Sequence, residues 1–230
     1  MNLPAERLKK VRQRIENAAK QSNRLVEDIR LIAVSKTKPA VDIEQVYQAG
    51  QYEFGENYLQ EAIEKIAALK HLEKIKWHFI GAIQSNKTRP IAENFDWVHS
   101  IDRLKIAHRL HEQRPTSKAP LNICLQVNLC DEDSKAGISL EEVPDLATEV
   151  SQLSRLKLRG LMAIPLKTTD PSEQHFHFKQ LKDCLDKLNK EGLQLDTLSM
   201  GMSNDMDTAI AEGATMVRIG TAIFGARKDL

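Results

Sequence analysis

Eight short apolar segments recur along the chain, and helix-type periodic patterns separate them. Between these segments, apolar residues recur at three- and four-residue spacing, as in an amphipathic helix. Strands that alternate regularly with helices pair in parallel through crossover helices. We therefore predict an α/β fold, a single (β/α)8 TIM barrel with an extra N-terminal helix at 5–21. The predicted strands are residues 31–34, 52–54, 77–80, 97–98, 121–127, 158–164, 195–198 and 216–219. The predicted helices are residues 41–49, 57–69, 84–95, 102–113, 140–153, 171–189, 204–212 and 222–224.

An open, doubly wound sheet is the alternative arrangement of the same elements. Such sheets commonly carry a glycine-rich phosphate loop after the first strand. Here residues 35–39 read Ser-Lys-Thr-Lys-Pro and contain no glycine, which favours the barrel. The 230 residues include only 10 glycines and 8 prolines, and no low-complexity linker interrupts them. We therefore expect one domain over residues 1–230.

Composition excludes several classes of function. The 33 basic and 32 acidic side chains leave a net charge of +1, which gives no overall field for nucleic acid or an anionic membrane. No segment approaches the about 20 apolar residues of a membrane span, and the N-terminus has no secretory signal pattern. The three cysteines form no C-x-x-C pair. We expect a cytoplasmic protein with no metal site, no nucleic-acid partner and no membrane partner.

Lys36 is the strongest candidate for a reactive side chain. Active sites of barrels lie at the carboxyl ends of the strands, and Lys36 follows the apolar segment 31–34 closely. Burial disfavours the charged form of an amine, and a neutral lysine amine can attack an aldehyde. A lysine that merely ends a strand and reaches solvent is the alternative.

The loops after the last two strands suggest a phosphate site. Barrels often bind phosphate after strands seven and eight. Residues 199–204 offer Gly201 for close backbone approach and Ser203 as a hydroxyl donor and candidate helix N-cap. Gly220 and Thr221 follow the last strand and supply backbone N–H groups and one more hydroxyl.

A Schiff-base lysine that faces a phosphate site is compatible with two kinds of protein. One is a class I aldolase acting on a sugar phosphate, and the other is a pyridoxal 5′-phosphate (PLP) site. Arg218 lies inside the last strand, where it could reach the ring nitrogen of PLP. An arginine there would leave that nitrogen unprotonated and make the ring a weaker electron sink than an aspartate would. Arg218 paired with a carboxylate inside the barrel remains the structural alternative.

At this point the chain resembles the PLP homeostasis proteins, which have an alanine-racemase-like barrel. The matching segments keep the family's order and extend over nearly the whole chain. One departure is visible, because Ala82 stands where the family usually has proline after His-Phe-Ile-Gly. The matching segments are residues 33–39 (AVSKTKP), 54–58 (FGENY), 78–81 (HFIG), 84–87 (QSNK), 99–102 (HSID), 160–165 (GLMAIP), 198–203 (LSMGMS) and 217–225 (VRIGTAIFG).

The resemblance implies a role for each candidate residue. Lys36 would carry PLP as an internal aldimine, and Arg218 would face the pyridine nitrogen. Asn57 would lie beside the ring. The residues implied to hold or adjoin the phosphate are Ser199, Ser203, Gly220 and Thr221.

A PLP carrier without turnover is the function that we expect from the resemblance, with a part in vitamin B6 and amino-acid homeostasis. Alanine racemases add a second domain with a tyrosine base, whereas this chain ends at Leu230 and its tyrosines all lie early. A racemase-like enzyme remains the alternative. Expected partners are PLP and PLP-dependent apoenzymes as recipients, and we expect a monomer because racemase dimers use the second domain. Lys38, Lys87 and Lys135 are candidates for transient PLP transfer.

Overall fold

The computed structural model describes residues 3–129, 136–164, 168 and 170–226 of the chain. Lys135 and Cys130 lie outside these ranges, as does Pro165 at the end of one matching segment. None of the helices in the described ranges combines the length and apolar character that crossing a lipid bilayer requires.

Eight parallel strands close into a barrel in chain order, which confirms the predicted fold class. The barrel closes where β8 pairs with β1, from Arg30 opposite Met216 to Ala33 opposite Ile219. The strands are β1 (Arg30–Val34), β2 (Glu53–Glu56), β3 (Lys76–Phe79), β4 (Trp97–Ile101), β5 (Leu121–Val127), β6 (Leu156–Ala163), β7 (Thr197–Ser199) and β8 (Met216–Ile219).

Helices cover the outside of the barrel, and the extra N-terminal helix is present as predicted. That first helix packs against the two last helices beside β7 and β8. The helices are α1 (Pro4–Gln21), α2 (Ala40–Gln48), α3 (Leu59–Ala68), α4 (Thr88–Asn94), α5 (Leu104–Gln113), α6 (Val143–Ser151), α7 (Pro171–Lys190), α8 (Met206–Ala211) and α9 (Thr221–Phe224), with 3-10 turns at Val26–Asp28 and Ser85–Lys87.

Two predicted boundaries were wrong in informative ways. The seventh strand was predicted at 195–198 but spans Thr197–Ser199. Leu195 is apolar and buried, yet its backbone N–H and carbonyl both bind the Asn189 side chain, which ties Leu195 to the preceding turn. The fourth helix begins at Thr88 rather than at 84, after a 3-10 turn, because Pro90 fits the first turn of a helix where no N–H partner is needed.

The strands divide the buried residues into two groups. Alternate strand residues point outward into a large core shared with the helices, and Phe54, Val98 and Leu198 belong to it. The other residues point into the barrel, where Ile32, Trp97, Cys124, Met162 and Met216 form a separate apolar cluster. Burial raises the pKa of the Cys124 thiol to about 12, so this cysteine is a neutral core residue.

Candidate functional site

Lys36 lies on a tight turn at the carboxyl end of β1. The strand ends at Val34, and the Ser35 N–H still donates to the Gly55 carbonyl at 3.0 Å, which continues the pairing with β2 by one residue. Lys36 is half-buried, and the next residue, Thr37, has a left-handed φ of 63°. A non-glycine residue in this region is strained and persists where its surroundings fix it.

Both neighbours of Lys36 are held by a cluster of charged side chains. The Lys65 amine donates to the Ser35 carbonyl at 2.7 Å and to Glu56 Oε1 at 2.8 Å. The Ser35 hydroxyl donates to the same Glu56 oxygen at 2.6 Å, and the Thr37 N–H donates to Glu61 Oε1 at 2.7 Å. Residues on β2 and α3 therefore hold the turn from both sides.

The sequence did not predict this cluster, whose central residues are buried. Glu56 is wholly buried and Lys65 is 6% exposed. Burial raises the pKa of Glu56, and the nearby Lys65 ammonium opposes that rise. The signal that could have found it is the spacing of Glu61 and Lys65, which puts opposite charges on one face of α3.

Asn57 lies beside the turn, just after β2. Its side-chain Oδ1 is buried and has no hydrogen-bond partner among the described residues. A Cβ on Gly81 would lie 2.3 Å from the Asn57 carbonyl oxygen, so only glycine allows the loop after β3 to approach this closely. The backbone of Asn57 is thus packed closely against the loop after β3, and its side chain keeps an acceptor without a partner among the described residues.

The loop after β7 contains Ser203. Gly201 has a φ of +90°, and a Cβ there would meet Ala209 at 2.6 Å, so the loop needs glycine to pack against α8. Asp205 accepts from the Met202 N–H, and the Ser203 carbonyl accepts from Arg14 at 2.6 Å. Ser203 itself stays half-buried.

A cavity of about 190 Å³ lies behind this loop, between α1, α8 and α9. Its lining includes Ser203, Ala222 and the basic side chains Arg7, Lys10 and Arg14. Lys36 and Arg218 do not line it. The basic side chains add positive potential on the outer side of the two predicted phosphate loops.

Gly220 follows β8 and approaches the strand that leads to Lys36, and Thr221 begins α9. A Cβ on Gly220 would lie 3.2 Å from the Val34 carbonyl oxygen, which is tighter than nine in ten Cβ contacts. The Gly220 carbonyl accepts from the Ile223 and Phe224 N–H groups at 2.9 Å, and Thr221 is exposed. The structure therefore brings the last loop within contact of the end of β1.

Arg218 points into the barrel and is 4% exposed. One guanidinium nitrogen donates to the carbonyl and, at 2.8 Å, to the hydroxyl of Ser199, and the other donates to the Ala163 carbonyl at 2.9 Å. Among the described residues these contacts use three of the five N–H groups of an arginine. Burial lowers the pKa of Arg218 to about 10, so it stays charged at neutral pH. No carboxylate hydrogen-bonds to Arg218 in the described part of the chain, contrary to the paired alternative.

Ser199 is buried, and its hydroxyl lies 2.7 Å from His99 Nδ1 as well as on Arg218. Its implied position near a phosphate remains a prediction. His99 in turn contacts His78 on β3, with 2.9 Å between ring nitrogens. The sequence leaves His78 open between a ring contact and a satisfied barrel histidine. The structure does not decide between them, because Nδ1 contacts His99 whereas the buried Nε2 has no hydrogen-bond partner among the described residues. The partner His99 was not singled out from the sequence, because the fourth strand was predicted to end at Val98, whereas β4 continues to Ile101.

The lysines considered for transfer differ in their surroundings. The Lys38 amine donates to the Ala226 carbonyl at 2.7 Å in an exposed position. Lys87 is exposed on the 3-10 turn before α4. Lys135 lies outside the described residues.

Comparison with known proteins gives consistent matches over nearly all of the chain. The family model described as alanine racemase, N-terminal domain, matches residues 7–228. The "Pyridoxal phosphate homeostasis protein" of Pseudomonas aeruginosa is 57% identical over 227 residues, covering 99% of this chain and 97% of that protein. The protein of the same name from Escherichia coli is 52% identical over 229 residues, covering 99% and 98%.

A solved structure extends the match to three dimensions. PipY of Synechococcus elongatus, determined with PLP bound, superposes with a TM-score of 0.85 at 40% identity. The match covers 96% of this chain and all of that one. This chain therefore belongs to the family of pyridoxal phosphate homeostasis proteins, within the larger group that shares the alanine racemase N-terminal domain.

Proposed function

We propose that this chain, as one barrel over residues 1–230, binds PLP and takes part in vitamin B6 and amino-acid homeostasis. The observation that carries the proposal is the turn at Lys36, which is held rigidly at the barrel mouth. PLP-bound PipY and the named relatives support the same function.

The residues present fit PLP in their chemistry. Asn57 Oδ1 is a buried acceptor without a partner among the described residues, as expected beside a ligand that donates or brings water. Gly220 leaves little room for a Cβ against Val34, which keeps backbone at the rim where a phosphate would bind. Arg218 supplies charged N–H donors inside the barrel for a ring nitrogen.

Each residue then has a distinct task. PLP supplies an aldehyde carbon that condenses with a lysine amine, and Lys36 is the amine that we assign to it. The hydroxyls of Ser203 and Thr221, with the backbone N–H groups near Gly220, would hold the phosphate. The charged guanidinium of Arg218 would donate to the pyridine nitrogen and hold it unprotonated, which weakens the electron sink.

A weakened electron sink favours storage of PLP over chemistry on bound amino acids. We therefore propose a carrier without turnover of its own, which acts as a monomer and delivers PLP to PLP-dependent apoenzymes. Lys38 and Lys87 are the described candidates for a transient hold on PLP during transfer.

We expect the loaded protein to reactivate a PLP-dependent apoenzyme while turning over no amino acid itself. The measurement combines activity recovery of the apoenzyme with chiral and mass analysis of common amino acids incubated with the loaded protein. Robust racemisation, decarboxylation or transamination would contradict the carrier role. Failure to reactivate any apoenzyme would contradict delivery. A covalent linkage to a sugar phosphate in PLP-free protein would instead favour the aldolase alternative.

We expect Ser203→Ala and Thr221→Ala each to weaken PLP binding about tenfold, the usual value of a hydrogen bond to a charged group. Binding of pyridoxal, which lacks the phosphate, should change little. Calorimetric titration with both ligands measures this difference. Thr148→Ala is the matched control, since Thr148 is exposed on α6 and its hydroxyl donates to the Pro144 carbonyl of the same helix. Equal losses for PLP and pyridoxal would contradict the phosphate assignment.

A further inference from the structure

A chain of polar side chains runs through the barrel from Arg218 to the opposite end. Arg218 lies 2.8 Å from the Ser199 hydroxyl, which lies 2.7 Å from His99 Nδ1. His99 Nε2 lies 2.9 Å from His78 Nδ1. These four side chains are at most 4% exposed, so water does not take part in the links freely.

Two arrangements of protons satisfy every link, because a serine oxygen can accept two hydrogen bonds, and one of the two fits the surroundings better. Arg218 has donors alone, so the Ser199 oxygen accepts from it. The Ser199 hydroxyl hydrogen then goes to an unprotonated His99 Nδ1, because His99 is the one other partner of this hydroxyl among the described residues. The reverse arrangement would also turn an unprotonated His78 Nε2 toward the Glu53 carboxylate. His99 therefore carries its hydrogen on Nε2 and donates to His78 Nδ1. His78 in turn carries its hydrogen on Nε2.

The end of this hydrogen-bond chain that is farthest from Arg218 lies near an anionic side chain. His78 Nε2 lies 3.6 Å from Glu53 Oε2, and it has no closer hydrogen-bond partner among the described residues. Glu53 is itself held by Arg30, with nitrogen–oxygen distances of 3.0 Å from the Arg30 Nε. The donors thus all point from the cation Arg218 toward the carboxylate Glu53.

Both imidazole rings stay neutral in this arrangement. Burial lowers the pKa of His78 and of His99 well below the ordinary value, and neighbouring positive groups add to the effect. His78 also stacks on Trp97, with ring planes 11° apart, which fixes its plane. Two neutral rings of fixed tautomer therefore leave the Ser199 hydroxyl one role toward Arg218, that of acceptor.

We propose that His99 and Ser199 are positioning residues that fix the guanidinium of Arg218 toward the ligand, with His78 setting the tautomer of His99. This inference rests on the proposed function for its consequence, because Arg218 acts on the pyridine nitrogen only when PLP is bound. Without His99, the Ser199 hydroxyl can rotate and turn its hydrogen toward Arg218, which removes one of the three contacts that hold the guanidinium.

The hydrogen-bond chain can be tested in the protein without PLP. Nitrogen-15 NMR of the imidazole rings should find both His78 and His99 neutral at pH 7, with hydrogen on Nε2. A hydrogen on Nδ1 of either ring, or a charged ring, would overturn the proposed direction of the chain. His99→Phe and His78→Phe assign the two signals.

The consequence for PLP is tested in the loaded protein. His99→Phe should shift the visible absorption maximum of bound PLP and speed its release about tenfold, as expected for loosening a charge-assisted contact. Ser199→Ala is the milder variant should His99→Phe fail to fold, since it leaves the Ser199 carbonyl on Arg218. His108→Phe, on the exposed side of α5, is the matched control.

The outcomes separate this inference from the proposed function. A wild-type protein that takes up no PLP contradicts the proposed function. In that case the tautomers of His78 and His99 in the unloaded protein still test the direction of the hydrogen-bond chain. Wild-type PLP binding with an unchanged spectrum and release rate in Ser199→Ala and His99→Phe would overturn the positioning role.

Discussion

Lys36→Ala is expected to lower the affinity for PLP at least about tenfold, or about 1.4 kcal/mol, and to remove the visible band of the wild-type complex. The substitution deletes the amine that we assign to the aldehyde while leaving the contacts of its neighbours intact. Ser35 and Thr37 are held through backbone groups and the Ser35 hydroxyl, so the turn should persist. Equilibrium dialysis and absorption spectra measure the two effects.

Lys76→Ala is the matched control for this experiment. Lys76 is an exposed lysine at the start of β3, the end of the barrel opposite the proposed site. It should leave affinity and spectrum unchanged, and thermal unfolding should show that both variants are folded. Wild-type affinity in folded Lys36→Ala would contradict the assignment of Lys36.

Gly160→Ala is expected to destabilise the fold by about 4 kcal/mol or more, a large part of the about 5–15 kcal/mol that stabilises a typical protein. A Cβ at position 160 would lie 1.8 Å from the Thr197 carbonyl oxygen. Gly160 pairs with Thr197 in the sheet, so β6 and β7 would have to separate to relieve the overlap. Chemical denaturation of the purified variant measures the loss.

Gly192→Ala separates this overlap from the general cost of replacing glycine. Gly192 has a φ of +104°, and a Cβ at this position would meet no neighbouring atom within 4 Å, so only backbone strain of about 1 kcal/mol is expected. A Gly160→Ala protein as stable as Gly192→Ala would show that the two strands adjust cheaply, against our expectation.

The strands whose bounds were predicted correctly are those in which every apolar residue of the segment belongs to the paired strand. β5 and β8 have the predicted bounds, because Leu121–Val127 and Met216–Ile219 are buried along nearly their whole length. β7 begins two residues later than predicted, because hydropathy does not reveal that Asn189 binds the backbone of Leu195. Side-chain bonds to backbone compete with strand pairing, and no periodicity records them.

The part of the site that could be predicted is the part in which the reactive residue and the strand that positions it are adjacent in sequence. Lys36 follows an apolar strand in sequence, so its position at the rim could be inferred from the local pattern alone. The contacts that hold the turn at Lys36 could not be predicted, because Lys65 has the pattern of an ordinary charged residue on an amphipathic helix. Its burial against Glu56 depends on how α3 packs on β2. The contact between His78 and His99 likewise depends on β4 continuing past its predicted end at Val98.

The most direct test of the central claim is peptide mapping of the wild-type protein after incubation with PLP and reduction with borohydride. Reduction fixes PLP to the lysine that holds it, and mass spectrometry of the peptides identifies that residue. We predict one phosphopyridoxyl group per chain, on Lys36. A protein that carries no such group, or carries it on another lysine, would contradict the account.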